Sequence, residues 1–480
     1  MTRRLFLFET RRLARHPLVW GATVLVLALQ TFLSRDQQPD LTMDPVNATG
    51  LATCLAAAVL IVASLATSRD GRHGMPESLA GLPGRAEHRT RALLLATPLV
   101  AGLAAAVAVG GYLAIRLLSG PAGGRLDVWE PLTAVAAAVL AATLGVAVGR
   151  WARWLIAGPL VVAVLGFLIY TNPMNGQARW LLPVMQDHRP DWPDRPSAAH
   201  LAYVLAAAVV FAGIALLRHR PRPAPAVAVV VAMAVAVPAG AAAASTRPPA
   251  RLPTNVTLEA AHVDSRVRDR YFGPDAYRCA RRQGLTYCAF PGYEPWIPLW
   301  EQAVQPVVAA LPAALRARTP EVRQMSSAWN FTGNDGMIRP PMSWGHPDQR
   351  RMLAEDVAFW ATGLYDSAAR HFTPSRRTAP CDVRGQARTV VALWLVGQVS
   401  PPEARRQLHV DRDLGRLSGL DWGPAEIGYA RRLLASPGAR EKVRAGWDTL
   451  VRPTTTIDQA LPLLGLEREF DAPMGATPCR

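Results

Sequence analysis

The sequence is poor in charged residues and contains almost no lysine. Only 18% of its 480 residues are charged, against about a quarter in soluble domains. Lysine occurs once, at Lys442, so arginine supplies 51 of the 52 basic side chains. A phosphate-binding P-loop needs a lysine directly after its second glycine, and Lys442 stands between Glu441 and Val443 instead. The sequence therefore contains no P-loop ATPase, and any nucleotide hydrolysis that serves it belongs to another chain.

Recognisable catalytic patterns are also missing. There is no His-Glu-x-x-His zinc motif and no Gly-x-Ser-x-Gly nucleophile motif. The histidines of the C-terminal half, His262, His346, His371 and His409, are widely separated. Nucleic-acid binding calls for a basic stripe with interleaved aromatic residues, which the sequence does not show. We expect no enzyme activity, no catalytic residue, no metal, no cofactor and no nucleic-acid partner.

The charge that is present falls unevenly along the chain. Residues 1–244 hold 21 basic and 12 acidic residues, whereas residues 245–480 hold 31 and 24. The first part also contains seven apolar stretches, each near the ~20 residues that cross a bilayer. They lie roughly at 18–32, 51–67, 93–118, 132–148, 155–170, 201–217 and 224–244. These stretches predict an α-helical polytopic membrane protein with about seven transmembrane helices, spanning residues 17–244.

The arginines predict the orientation of those helices. Fifteen lie in the N-terminal segment and in alternate loops, namely at 3, 4, 11, 12, 15, 69, 72, 85, 89, 91, 150, 153, 218, 220 and 222. The remaining loops hold only five, at 35, 125, 179, 189 and 195. Because cytoplasmic loops carry the excess of arginine, the N-terminus is predicted inside the cell membrane and the C-terminal half outside. An error of one span would invert the last statement, and the short fifth stretch is where such an error would arise.

The predicted spans contain almost no ionisable side chains. Arg116 is the exception, and we expect it to extend from the third span towards the outer interface. Ion-coupled transporters place acidic or basic residues at membrane depth. Their absence argues against such a transporter, so the energy for any transport would come from a separate subunit.

Two segments on the cytoplasmic side have patterns of their own. In residues 1–16, Phe6 and Leu13 share one side of a helical wheel while Arg4, Arg11 and Arg15 share the other, which predicts a helix in the interface of the lipid bilayer. An ordinary basic flank is the alternative.

In the loop 68–91, Pro76 and Glu77 favour a helix start, and leucines follow at helical spacing before a proline. This predicts a short helix that docks on a partner; a solvated basic loop is the alternative.

These two segments resemble the permease subunits of type-two ABC exporters, especially actinobacterial ones. The first ends in Arg-x-Pro, and the loop reads Arg-Asp-Gly-x-x-Gly-x-x-Glu-x-Leu-x-x-Leu-Pro. The resemblance implies export, docking of a separate ATP-binding subunit on the loop, and a second permease copy or homologue as partner. The docking residues would be Arg69, Asp70, Gly74, Glu77, Leu79, Leu82 and Pro83. The sequence departs from the family in having seven spans rather than six and a large outer domain.

The C-terminal half predicts an extracytoplasmic domain at 254–480, after a proline-rich linker at 245–253. Helical spacing of apolar residues predicts a mainly α domain with disulfides, with α+β as the alternative. Four cysteines lie here, and we prefer the pairs Cys279 with Cys288 and Cys381 with Cys479, although four cysteines allow three pairings. Cys54 is expected to be an apolar filler in the second span. A membrane-anchored outer binding or sensor protein, or less plausibly an outer hydrolase, is the alternative function.

Overall fold

The computed structural model describes residues 2–72, 86–152, 154–175, 182, 195–219, 223–245, 274–325, 337–364, 382–401, 422–475 and 478–479. The protein is mostly helical. Its chain divides into two compact units, one made of Met1–Arg35 with Pro39–Pro248 and one made of Asp36–Gln38 with Pro249–Arg480. The division after Pro248 falls within the linker that the sequence predicts.

The N-terminal unit is a bundle of helices built from the alanine-, leucine- and valine-rich stretches. Its helices are α1 (Thr2–Leu13), α2 (Pro17–Leu33), α3 (Asp44–Arg72), α4 (Ala86–Ser119), α5 (Trp129–Trp151), α6 (Ala157–Asn175), α7 (Ser197–Leu217) and α8 (Pro223–Ser245). His16 separates α1 from α2, where its ring accepts a hydrogen bond from the Leu18 amide and Pro17 starts the new helix. The two helices are bent by 51° at this point.

Within the described residues of this unit, five helices are long and apolar enough to cross a membrane: α3, α4, α5, α7 and α8. The bent pair of α1 and α2 gives a sixth if it is counted as one span. Helix α6 is apolar as well, but its stretch Ala157–Thr171 is shorter. The protein thus has the helices of a multi-pass membrane protein, and seven spans stay a prediction.

Side-chain contacts sort the helix ends of the bundle into two groups. In one group, which we call the His219 end, the indole of Trp151 at the end of α5 donates to the Ile214 carbonyl of α7 at 3.0 Å. Thr90 near the start of α4 lies 2.7 Å from His219, just after α7. In the other group, the Asp44 end, Asp44 at the start of α3 meets Arg116 near the end of α4. Helices α5 and α7 therefore run in the same direction.

Helices α3 and α5 pack with their backbones in direct contact. A Cβ atom added at Gly145 would lie 2.5 Å from the Leu60 carbonyl oxygen, and one at Gly149 would lie 2.5 Å from the Ser64 carbonyl oxygen. Small residues at a spacing of four allow this approach in membrane helices. The core beside this contact is also made of small residues such as Ala138 and Ala142.

The C-terminal unit combines a small sheet with helices. Strands β1 (Arg278–Arg282), β2 (Leu285–Ala289), β3 (Glu321–Arg323) and β4 (Met337–Ile338) lie in that order, with β1 antiparallel to β2 and the other pairs parallel. Gln283 and Gly284 both have positive φ, as a tight two-residue hairpin requires. Alternation of apolar and polar residues in the sequence predicts two short strands, near 255–263 and 285–290. The second is confirmed as β2, and the first lies outside the described residues.

The helices of the C-terminal unit pack around one continuous core. They are α9 (Ile297–Ala310), α10 (Ala313–Arg316), α11 (Pro347–Ala361), α12 (Ala387–Val396), α13 (Pro424–Ala435), α14 (Ala439–Ala445), α15 (Trp447–Leu450) and α16 (Ile457–Leu464). Helix α12 is buried along its whole length, and Trp296 and Trp300 are fully buried beside β2. The apolar residues that recur every three or four positions in this half of the sequence lie in or just after α9, α11, α12 and α13.

The predicted disulfide between Cys279 and Cys288 is present, and it joins directly opposed residues of β1 and β2. Glu321 lies close to both sulfur atoms, but disulfide sulfurs are not thiolate ligands for a metal. Cys479 is also disulfide-bonded, and Cys381, its predicted partner, lies outside the described residues. Cys54 lies in α3, the helix of the predicted second span, and it is exposed on the surface of that helix.

Candidate functional site

Helix α1 lies within the predicted interfacial segment 1–16. Arg4, Arg11 and Arg15 are exposed, whereas Leu13 is buried and Phe6 packs against the bundle core. Phe8, which the wheel places with these apolar residues, has 59% of its surface exposed. Basic residues therefore lie on one side of α1 and the bundle contact lies on the other.

A buried acidic residue joins α1 to the end of α3. Glu9 is 8% exposed, and its carboxylate accepts a hydrogen bond from Arg69 Nη2 at 3.3 Å. Arg12, one turn along α1, lies 3.9 Å away and is more exposed. The charge pattern of the sequence does not single out Glu9, although its position three residues after Phe6 and four before Leu13 places it on the buried face of the wheel. Arg69 is a predicted docking residue, so this ion pair fixes α1 beside the beginning of the predicted docking loop.

Most of the predicted docking loop lies outside the described residues, including Gly74, Glu77, Leu79, Leu82 and Pro83. Asp70 belongs to the last turns of α3. The chain is described again from the start of α4, where Arg91 donates to Glu87 at 2.6 Å. The loop therefore lies between two long helices in the sequence, and the roles of its leucines stay predictions.

Basic groups surround His219 near the same end of the bundle. Burial lowers the pKa of the His219 ring, and the charges of Arg150, Arg218 and Arg89 lower it further, while Glu87 opposes them. Arg218 also lies over the ring of Trp151, with its guanidinium carbon 5.5 Å from the ring centre. His219 is therefore neutral at pH 7, and its contact with Thr90 links the start of α4 to the end of α7.

At the Asp44 end, the structure corrects the expectation for Arg116. Its side chain does not extend towards the interface, because Arg116 is 3% exposed and donates from Nε to Asp44 Oδ2 at 2.8 Å. Nη1 donates to the Ser34 carbonyl at 2.9 Å, and the hydroxyl of Tyr112 donates to Asp44 Oδ1 at 2.9 Å. The reason is that Asp44, which begins α3 ahead of the predicted span, supplies a buried countercharge. This network joins α2, α3 and α4.

A second buried carboxyl group lies at the start of α5. Glu130 is 1% exposed, and its Oε1 accepts a hydrogen bond from the hydroxyl of Ser197 at 2.7 Å. Ser197 is the first residue of α7 and is buried as well. Sequence analysis missed Glu130 because it stands two residues before the predicted span at 132–148, where an acidic residue is ordinarily solvated.

No family model, curated protein or solved structure matches this chain. Within the described residues, two places in the bundle combine buried charge with contacts between separate helices. One is the α1 to α3 contact beside the predicted docking loop, and the other is the pair of buried carboxyl groups at the Asp44 end. The α1 to α3 contact lies where a partner is predicted to dock. The two buried carboxyl groups are sites whose charge can depend on pH.

Proposed function

We propose that this chain is the permease subunit of an ABC exporter, driven by a separate ATP-binding subunit that docks on the loop 68–91. The resemblance of the loop and of the N-terminal segment motivates the proposal. The observation that supports it best is the ion pair between Glu9 and Arg69, because it joins the two segments that carry the resemblance.

The position of the loop suits mechanical coupling. It connects the end of α3 to the start of α4, and α3 packs backbone to backbone on α5. A partner that moves the loop would therefore act on two long helices at once. Its force would also reach α1 through Glu9, so α1, α3 and α4 would respond together.

The proposed topology has seven crossings, with the N-terminus inside and the C-terminal unit outside the cell membrane. Helix α5 ends at the His219 end, whereas α7 begins at the Asp44 end, where Ser197 meets Glu130. The segment between them must cover the length of the bundle, and α6 begins at the His219 end, since Gly158 lies against Ser64. Helix α8 ends beside Val46, at the Asp44 end. The arginine-rich loops assign the His219 end to the cytoplasm.

Co-purification tests the proposal. The neighbouring reading frames are first searched for a P-loop ATPase, which the proposal expects to find there. That ATPase is then co-expressed with the full chain, and Leu79→Asp with Leu82→Asp is introduced. We expect the ATPase to be lost from the purified complex, because charged groups cannot enter an apolar groove without a large desolvation cost. Leu463→Asp is the matched control, since Leu463 is an exposed leucine of the C-terminal unit.

The outcome separates the proposed function from its main alternative. If the ATPase co-purifies equally with both variants and transport persists, the docking assignment is wrong. The chain would then be better described as a membrane-anchored outer binding or sensor protein. Loss of the ATPase in the Leu463→Asp control would point to misfolding and would require a milder pair, Leu79→Ala with Leu82→Ala.

A further inference from the structure

The bundle holds two buried carboxyl groups whose hydrogen-bond donors differ sharply. Asp44 receives the guanidinium of Arg116, the hydroxyl of Tyr112 and the backbone amide of Asp40, at 2.8, 2.9 and 3.0 Å. Glu130 receives a hydrogen bond from the hydroxyl of Ser197 at 2.7 Å, and within the described part of the chain no other donor reaches its carboxyl group. Both residues are at most 3% exposed.

The donors decide which charge state each site can hold. A buried carboxylate is costly unless it is paired with a cation and hydrogen-bonded, because its hydration is lost. Asp44 meets both conditions and is a carboxylate. An ionised carboxyl group can accept about four hydrogen bonds. Glu130 accepts one, from the neutral hydroxyl of Ser197, so its site does not meet the conditions for a buried charge.

The neighbouring polar groups do not fill the remaining positions of Glu130. The hydroxyl of Thr49 donates to the carbonyls of Pro45 and Glu130, at 3.0 and 3.4 Å. The hydroxyl of Thr133 donates to the Trp129 carbonyl at 2.8 Å. Both threonines are buried and both direct their protons to the backbone, so neither stabilises a charge on the carboxyl group.

Charged and titratable groups of both signs lie around Glu130. Arg195, ahead of α7, and Asp127, ahead of α5, act on it with opposite sign. Arg195 donates to the Thr42 carbonyl at 2.8 Å, and no ion pair joins it to Glu130 among the described residues. On the helices packed against α5, Asp44 of α3 is paired with Arg116 of α4. On α7, His200 is fully buried with Nε2 2.8 Å from the Leu182 carbonyl.

We propose that Glu130 is a proton-binding site whose carboxyl group is protonated when the starts of α5 and α7 are in contact. The step is the transfer of one proton from a hydronium ion to a carboxylate oxygen of Glu130: one O–H bond of the hydronium ion breaks, one O–H bond forms on the carboxyl group, and a water molecule is released. Loss of that proton leaves a buried charge with one hydrogen bond, which separation of Ser197 from Glu130 and entry of water would relieve. Proton binding therefore holds the Asp44 end of the bundle closed. This site does not depend on whether an ATPase drives the protein.

Infrared spectroscopy of the full chain in lipid nanodiscs tests the site directly. At pH 7 the wild-type protein is expected to show the carbonyl-stretch band of a protonated carboxyl group. Glu130→Gln removes that band, and Glu87→Gln, at the His219 end, leaves it in place. Ser197→Ala moves the band to higher frequency, because the hydrogen bond to the carbonyl oxygen is lost. Absence of the band in the wild-type protein overturns the proposal, as does its persistence in Glu130→Gln.

Thermal unfolding gives a second measurement. Glutamine mimics the protonated acid, so Glu130→Gln and the wild-type protein are expected to unfold at the same temperature near pH 4. Solvated glutamate loses its proton above about pH 4.3, so the wild-type protein must take up a proton to fold at higher pH. Its midpoint should therefore fall progressively below that of Glu130→Gln between pH 4 and pH 8. A midpoint for Glu130→Gln that lies below wild type at pH 7 overturns the proposal.

Discussion

The side chains of Arg116 and Asp44 form an ion pair with 2.8 Å between Nε and Oδ2, and each is 4% exposed. Arg116 lies near the C-terminal end of α4, and Asp44 lies at the N-terminal end of α3. Since Nη1 of the same arginine also holds the Ser34 carbonyl at the end of α2, one guanidinium fixes three helix ends. Removing one partner of a buried ion pair strongly destabilises a protein, because the other charge stays buried without a countercharge.

Removing Arg116 alone is expected to be strongly destabilising. Arg116→Met leaves Asp44 buried without its cation, which costs about 3–5 kcal/mol. Arg116→Met combined with Asp44→Leu should recover a large part of that loss, because no buried charge remains. Thermal midpoints of the full chain in detergent would measure both effects. Arg125→Met is the control, since Arg125 is an exposed arginine at the same end of the bundle. Equal loss in single and double variants would contradict the prediction.

The ion pair between Glu9 and Arg69 should contribute to the attachment of α1. Arg69 is 36% exposed, so solvent screening limits the expected loss for Glu9→Gln to about 1 kcal/mol. Exchanging the charges, Glu9→Arg with Arg69→Glu, should restore part of it. Protease cleavage of α1 in the folded protein measures the attachment. Arg12→Gln serves as the control because Arg12 lies farther from Glu9, and an equal effect of that change would contradict the prediction.

Gly145 should not tolerate even a methyl group. In Gly145→Ala the new Cβ atom would meet the Leu60 carbonyl oxygen at 2.5 Å, so α3 and α5 must move apart, at a cost of about 1–3 kcal/mol. Gly166→Ala in α6 is a matched control, because nothing lies within 4 Å of its Cβ position. Alanine there should be neutral or stabilising by up to about 1 kcal/mol. Similar midpoints for both variants would show that the α3 to α5 contact is looser than described.

Acid should weaken the His219 end of the bundle. The pKa of His219 is lowered in the folded protein, so the folded state binds its proton less readily than the unfolded chain does. The stability that this histidine contributes is present above about pH 6.5, the ordinary value for histidine, and is lost as the pH falls through the folded pKa. His219→Gln should remove that part of the pH dependence. Unfolding midpoints measured from pH 5 to pH 8 check this, and parallel curves for the two proteins would contradict it.

Local patterns in the sequence predict much of the fold and little of the charge network. Runs of apolar residues predict helices because a span needs only length and hydrophobicity, and alternation near 285–290 predicts β2. Glu9 and Arg69 are sixty positions apart, and Asp44 and Arg116 are farther apart still. These pairs form only because the helices that carry them pack together, and no local pattern in the sequence shows which helices pack together. Arg116 was misjudged for this reason: its position near a helix end fits an interfacial arginine equally well until Asp44 is placed beside it.

The backbone contact between α3 and α5 determines which parts of the bundle can change position. At Gly145 and Gly149 the two backbones come into contact, which leaves little room for one helix to slide along the other. We therefore expect α3 and α5 to move together. Helix α8, by contrast, has only 22% of its apolar stretch buried. A force that moves α3 should therefore carry α5 with it, and helices that are buried less, such as α8, are free to shift against this pair.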